Sequence, residues 1–187
     1  MIKTTAPGKV VLWGEYAVLA GAAAGVMALN TPATVAASRS TDDAWHFSSQ
    51  GFGAEPVSCP ANELPKNTAT ALLAAVLRHW GFGSLDQCGQ AMRVHTDSSA
   101  FFQDSQKLGL GSSAAVCAAT YRLLCELTAR IPTLTEAMAI HRDWQGGKGS
   151  GLDIASVWHG GLIHFQQGKA TPAELPPEWH WQVVFSG

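Results

Sequence analysis

Lys107-Leu108-Gly109-Leu110-Gly111-Ser112-Ser113-Ala114-Ala115 joins a glycine turn to two hydroxyls at the head of an apolar run that continues to Ala129. Glycine reaches positive φ at little steric cost and lets a backbone come close to a ligand. The first turn of a helix leaves N–H groups unpaired and carries the positive end of the helix dipole. Together these features predict a phosphate cradle, with Ser112 and Ser113 as helix caps or as contacts to phosphate or metal. A glycine turn before a capped helix, without any ligand, is the structural alternative for the same residues.

Three better-known patterns compete for this stretch. The Walker loop requires lysine after its last glycine, and Ser112 stands there. The dinucleotide pattern G-x-G-x-x-G/A is met by Gly109, Gly111 and Ala114, but it should directly follow a hydrophobic strand and lead to an acid about twenty residues on. Gln103-Asp104-Ser105-Gln106 precedes it here, and Glu126 lies inside the helical run. A serine-hydrolase elbow is approximated by Gly111-Ser112-Ser113-Ala114-Ala115, with His159-Gly160-Gly161 as oxyanion element. Ala115 replaces its final glycine, the His-Gly-Gly element follows the serine, and no acid–histidine pair comes in the expected order.

Outward from this loop, two distant segments place reactive residues beside glycine turns. In Ala6-Pro7-Gly8-Lys9-Val10-Val11-Leu12-Trp13-Gly14-Glu15-Tyr16-Ala17-Val18, Lys9 enters a short apolar strand and Glu15 follows a glycine. In Gln145-Gly146-Gly147-Lys148-Gly149-Ser150-Gly151-Leu152-Asp153, a lone aspartate emerges from a glycine-rich loop. The three segments, in this order and spacing, resemble the N-terminal signatures of the GHMP small-molecule kinases, named for galactokinase, homoserine kinase, mevalonate kinase and phosphomevalonate kinase. The resemblance runs from Ala6 to about Phe165. In detail it is nearer to phosphomevalonate kinases, because mevalonate kinases usually carry histidine where Tyr16 stands. They also carry a magnesium-binding glutamate at the position of Arg142, where Asp143 is the neighbouring substitute or a solvated helix residue.

The resemblance implies ATP and Mg2+ as cofactors and transfer of the γ-phosphoryl group to a hydroxyl or phosphate of a small metabolite. By the same resemblance, Lys107, Gly109, Leu110, Gly111, Ser112, Ser113 and Ala114 hold the nucleotide, and Ser113 lies nearest the metal. Asp153 orients or deprotonates the substrate hydroxyl, a role worth about 10²–10⁴-fold in rate for general bases. Its structural alternative is a helix cap. Lys9 sits beside Asp153 and counters charge on the phosphoryl oxygens. Glu15, Tyr16, Ser150 and Gly151 border the substrate, with Glu15 ordering its loop. A nucleotide-binding module without catalysis is the alternative function.

The resemblance also implies the fold: an α/β (α+β) domain like ribosomal protein S5 domain 2, with helices against one side of a sheet. The whole of 1–187 is expected to be the N-terminal ATP-binding domain of a longer kinase. Residues 180–187 would begin a ferredoxin-like second half that is largely absent. Such a chain, taken alone, is expected to be a poor kinase and to self-associate or form a homodimer through uncovered apolar surface.

Composition agrees. With 47% hydrophobic residues, 187 residues suffice for a core, and a net charge of −2 gives no footprint for nucleic acid or an anionic membrane. Cys59, Cys88, Cys117 and Cys125 form no C-x-x-C pair, so buried thiols in a reducing, cytoplasmic setting are expected. The Ala-rich run from Ala17 to Leu29 follows Glu15 and is not a secretory signal, and no membrane span is expected. His95, His141, His159 and His164 lack metal-ligand spacing and read as structural. The tryptophans read first as packing residues, with Trp13 and Trp45 as candidates to border a pocket.

Strand-like runs fall at Gly8–Trp13, Ala33–Ala37, Ala44–Phe47, Ala91–His95, Leu162–Phe165 and Trp181–Phe185. Helical runs fall at Asn67–His79, with Asn67 or Thr68 as cap, and at Ser112–Ala129. Thr133-x-x-Glu136 reads as a capping box opening a helix through Trp144. Thr41–Asp43 and Gly51–Pro65 read as loops.

Overall fold

The structure is a computed structural model and describes residues 1–52, 55–176, 178 and 182–184. In chain order its elements are β1 (Ile2–Trp13), β2 (Ala24–Arg39), β3 (Ala44–Gln50), β4 (Val57–Pro60), α1 (Ala71–His79), β5 (Met92–Asp97) and the hairpin β6 (Phe102–Gln103) and β7 (Gln106–Lys107). Then come α2 (Ser112–Leu127), α3 (Leu134–Trp144), α4 (Leu152–His159), β8 (Leu162–Gln166) and β9 (Lys169–Ala173).

The sixteen-residue β2 organises a seven-stranded mixed sheet. Along one edge it pairs antiparallel with β1, from Ile2↔Ala37 to Trp13↔Gly25, with register shifts at Pro7/Gly8 and Val11/Trp13. Its other edge is shared, with β8 on residues 24–27 and β5 on residues 34–39. Strand β3 runs parallel to β5, β4 closes that side, and β9 pairs with β8. Alternation then sorts the side chains: Ala33, Val35, Ala37, Trp45, Phe47, Met92 and Val94 turn to one face and are buried under the helices.

Helix α2 lies against β1 and β2 because its contact positions are small. Ala114, Ala115, Ala118 and Ala119 are fully buried, and the Thr4 hydroxyl donates to the Ala119 carbonyl at 2.7 Å. In α1, Leu73, Val76 and Leu77 face the same core, and Asn67 Oδ1 accepts from the Thr70 N–H at 3.0 Å to cap the preceding turn. The four cysteines are free and buried, and burial pushes the Cys88 thiol up to about 11 and Cys117 to about 12. They pack as inert apolar groups. Among the described residues no helix is long and apolar enough to cross a membrane.

The capping box before α3 forms by half. The Thr133 hydroxyl accepts from the Glu136 N–H at 3.3 Å, but the Glu136 carboxylate turns to the core, accepting from the Tyr121 hydroxyl and from Trp80 Nε1 at 3.1 Å. Tyr121 is fully buried, and desolvation followed by this carboxylate raises its pKa. Glu136→Ala is therefore expected to cost about 1–3 kcal/mol in urea unfolding, because it leaves the buried Tyr121 O–H and the Trp80 Nε1–H without an acceptor. Glu136→Gln, which keeps an acceptor oxygen, should cost less.

The sheet face opposite the helices is polar. A 440 Å³ concavity there is lined by His46, Ser48, Ser58, Arg93 and His95. These groups are paired: His46 lies 2.9 Å from Ser58 and 2.8 Å from Asp42, Ser48 lies 2.9 Å from His95, and Arg93 donates to the Thr41 hydroxyl at 3.0 Å. Hydrogen bonds from His46 and Ser40 hold the Asp42 carboxyl down at about 2.

Several boundaries differ from expectation. The Ala-rich run from Ala17 divides into a 3-10 turn, Ala17–Ala20, and the first half of β2. Within the expected loop Gly51–Pro65, β4 pairs with β3 and buries Cys59. Trp45 belongs to the core, stacked on Phe47, and Trp13 covers Gly25 beside His164, so neither lines the cavities next to the glycine loops. Of the strand expected at 181–185, Trp181 and Phe185 lie outside the described residues, and 182–184 form no strand.

Candidate active site

The three glycine segments converge on Lys9. Its backbone N–H donates to the Leu110 carbonyl at 2.8 Å, which fastens the 107–113 loop to β1. Its side chain then runs past Gly111, where an added Cβ would lie 2.8 Å from Lys9 Cγ and 2.9 Å from Cε. The stem ends with Nζ 2.8 Å from Asp153 Oδ1. The lysine side chain is 12% exposed and the aspartate 38%, so the cation is sheltered while its partner opens to the exterior. Opposite charges at this separation hold each other in place.

Both helices that meet here begin on a left-handed glycine. Gly111 is the N-cap of α2, with φ 78° and ψ 33°, and no side chain caps that terminus. Ser112 and Ser113 thus occupy the first helical positions, and the expected cap is corrected to Gly111. The consequence is chemical: the N–H groups of the first turn stay free for an anion. Gly151 is the N-cap of α4, and Asp153 stands in the first turn, where the helix dipole favours a carboxylate. Asp153 is therefore not the cap of α4, and its carboxylate goes to Lys9. Ser150 takes a capping part instead, its hydroxyl accepting from the Leu152 N–H at 3.3 Å.

Two cavities adjoin this centre. One, of 170 Å³, is lined by Lys9, Glu15, His141, Gln145, Ser150 and Asp153 among others. The second, of 230 Å³, is mostly apolar, with Phe52, Leu72, Phe102, Val116 and Trp144 in its lining beside Lys107, Ser112, Ser113 and further hydroxyl residues. A mostly apolar slot that also takes in hydroxyls, a lysine and the α2 N-terminus suits a flat base carrying phosphates. The Lys9–Asp153 cavity suits a small polar molecule.

Of the residues singled out in the sequence, Lys9, Glu15, Ser150, Gly151 and Asp153 border the first cavity, and Lys107, Ser112 and Ser113 the second. Gly109 and Leu110 form the connecting loop, and Ala114 is buried beneath it. Tyr16 stands apart, 79% exposed at the head of the 3-10 turn. Asp143 is a solvated helix residue, 67% exposed and 3.4 Å from His79. Sequence reasoning reads His141 as structural and Gln145 only as the start of its glycine loop; both line the first cavity. For His141 a signal existed: with Ala137 and Ile140 it continues the apolar stripe of α3, a place where histidine is out of keeping. Among the described residues Ser113 has no hydrogen-bonded histidine, which removes the geometry a serine hydrolase requires.

Residues 67–161, half of the chain, match the family described as GHMP kinases N terminal domain. The chain belongs to this family. It is 29% identical over 174 residues to the phosphomevalonate kinase of Saccharolobus solfataricus, an alignment covering 88% of this chain and 49% of that protein. The mevalonate kinase of Methanococcus jannaschii superposes with a TM-score of 0.74 at 17% identity, over 92% of this chain and 56% of that one. The phosphomevalonate kinase of Streptococcus pneumoniae, solved with phosphomevalonate and AMPPNP, gives 0.71 at 20%, over 89% and 50%. These structures share the fold, and the chain spans about half the length of the relatives it matches. In the two solved structures the superposed part is the mixed α/β fold described above.

Proposed function

We propose that this chain forms the nucleotide and base side of a kinase that transfers the γ-phosphoryl group of ATP to a hydroxyl or phosphate of a small metabolite. The observation that carries this reading is the 2.8 Å Lys9–Asp153 pair beside the uncapped α2 terminus. Phosphoryl transfer needs positive charge on the transferring group, a positioned acceptor oxygen and little covalent help from the protein. The free N–H groups of α2 and the Lys107 amine would take the phosphates, with the base in the apolar slot. Lys9 would neutralise the transferring oxygens, and Asp153 would orient the acceptor and receive its proton.

The donor set also fits Mg2+ in the way that ion is usually held, by few protein oxygens and mainly by phosphates and water. Ser113 Oγ, on the exposed side of the first turn of α2, would be the protein oxygen nearest the metal, which would supply charge neutralisation between phosphates. Among the described residues there is no cluster of three or more His, Cys, Asp or Glu arranged to hold a metal without such help.

Phosphomevalonate and mevalonate are the acceptors to try first, given the relatives. Calorimetry should show MgATP binding to this chain. ADP release by the protein as its gene encodes it should require both MgATP and one acceptor. Binding without acceptor-dependent ADP release would favour a non-catalytic nucleotide module, and absence of MgATP binding would defeat both readings.

A further inference from the structure

His141 is 3% exposed, yet its Nε2 has no hydrogen-bond partner among the described residues. Buried polar atoms are nearly always paired, so an unpaired one calls for a reason. Two other buried side-chain atoms share this condition: Trp45 Nε1 and Ser156 Oγ. Trp45 belongs to the main core, and Ser156 faces inward on α4. His141 alone of the three borders the cavity that holds Lys9 and Asp153. Its ring is fixed there by stacking on Trp144, with centroids 5.6 Å apart and planes 25° apart. Burial lowers its pKa, while the charge of Asp153 acts the other way. A neutral imidazole offers one donor and one acceptor, suiting it to a polar, uncharged contact.

We propose that His141 is an acceptor-binding residue, exchanging a hydrogen bond with an oxygen of the small-molecule acceptor other than the one that is phosphorylated. This rests on the kinase reading above and extends it. The acceptor then carries at least two oxygen functions, one held at His141 and the other presented to Asp153. Trp144 has a part on each side of the site, since it also walls the apolar slot. The ring that positions His141 is therefore the ring against which the base would lie.

The test uses His141→Phe, which keeps an aromatic ring against Trp144 and deletes both nitrogens. Affinity for phosphomevalonate or mevalonate, whichever the wild-type protein binds, should fall about tenfold, the scale of one lost hydrogen bond. MgATP affinity and melting temperature should stay near wild type, and His141→Gln should restore part of the loss. Unchanged acceptor affinity in a folded His141→Phe protein overturns the proposal. If that variant does not fold, 15N-histidine spectra of the wild type decide. A shift of the His141 ring nitrogens on adding acceptor, and not on adding MgATP alone, supports the contact, and unmoved resonances at saturating acceptor overturn it. If MgATP binds and neither acceptor does, the acceptor reading itself fails and the proposal falls with it, a result distinct from acceptor binding that leaves His141 untouched.

Discussion

Asp153→Asn is expected to lower turnover about 10²-fold or more with a hydroxyl acceptor, while MgATP affinity and thermal stability stay near wild type. The amide keeps the shape of the side chain and still offers Lys9 an oxygen, so the 2.8 Å contact can survive in weakened form. It cannot accept the hydroxyl proton. Lys9→Met keeps most of the stem that passes Gly111 and removes the charge. It should be at least as damaging, because transition-state charge then lacks its counter-ion.

A comparison of acceptors sharpens this result. A phosphate monoester has a second pKa near about 6, so its attacking oxygen is already deprotonated at neutral pH. For such an acceptor Asp153→Asn should cost less than for a hydroxyl, whereas Lys9→Met should cost as much or more. Steady-state kinetics of both variants with mevalonate and phosphomevalonate would check the pattern. Near-normal turnover in both variants would show that the Lys9–Asp153 pair is structural only.

The fold class was legible in the sequence through the resemblance, and the residues gathered round Lys9 were legible as candidates from their local chemistry. Lys9, the 107–113 loop and Asp153 were legible because their chemistry is local: glycines beside charged or hydroxyl residues have few purely structural uses. Their convergence was legible only through the resemblance, since the Lys9 N–H to Leu110 carbonyl bond spans a hundred residues of sequence. Secondary structure failed where tertiary pairing overrides local preference. The first half of β2, Ala24–Leu29, reads as an alanine-rich run and becomes a strand because β1 and β8 flank it. Short β4 and β9 owe their existence to neighbours in the same way. Helix α4 enters the sequence reading only as a cap alternative for Asp153, without an extent, because its first residues were read for chemistry. His141 reads as structural in the sequence, because a lone histidine on an apolar face is usually packing, and only the unpaired Nε2 beside the Lys9–Asp153 cavity sets it apart as a candidate.

Gly109 and Gly111 provide a controlled experiment on the loop itself. Both hold positive φ, 73° and 78°, so alanine at either position carries the left-handed backbone penalty of about 1–2 kcal/mol. Their surroundings differ. A Cβ on Gly109 meets nothing within 4 Å, whereas one on Gly111 lies 2.8–2.9 Å from Lys9 Cγ and Cε. Gly109→Ala should therefore lower stability by roughly the backbone penalty and weaken MgATP modestly, through loss of loop shape. Gly111→Ala should do the same and also push the lysine stem off its path, drawing Nζ away from Asp153. Gly111→Val adds bulk directly at the α2 terminus where phosphate would lie, so MgATP affinity should fall at least about tenfold, or 1.4 kcal/mol. Calorimetry of MgATP binding and thermal melts on the three variants separate these effects. Equal losses in Gly109→Ala and Gly111→Ala would mean that only backbone conformation matters. Wild-type MgATP affinity in Gly111→Val would remove the phosphate from the α2 terminus, whatever the lysine does.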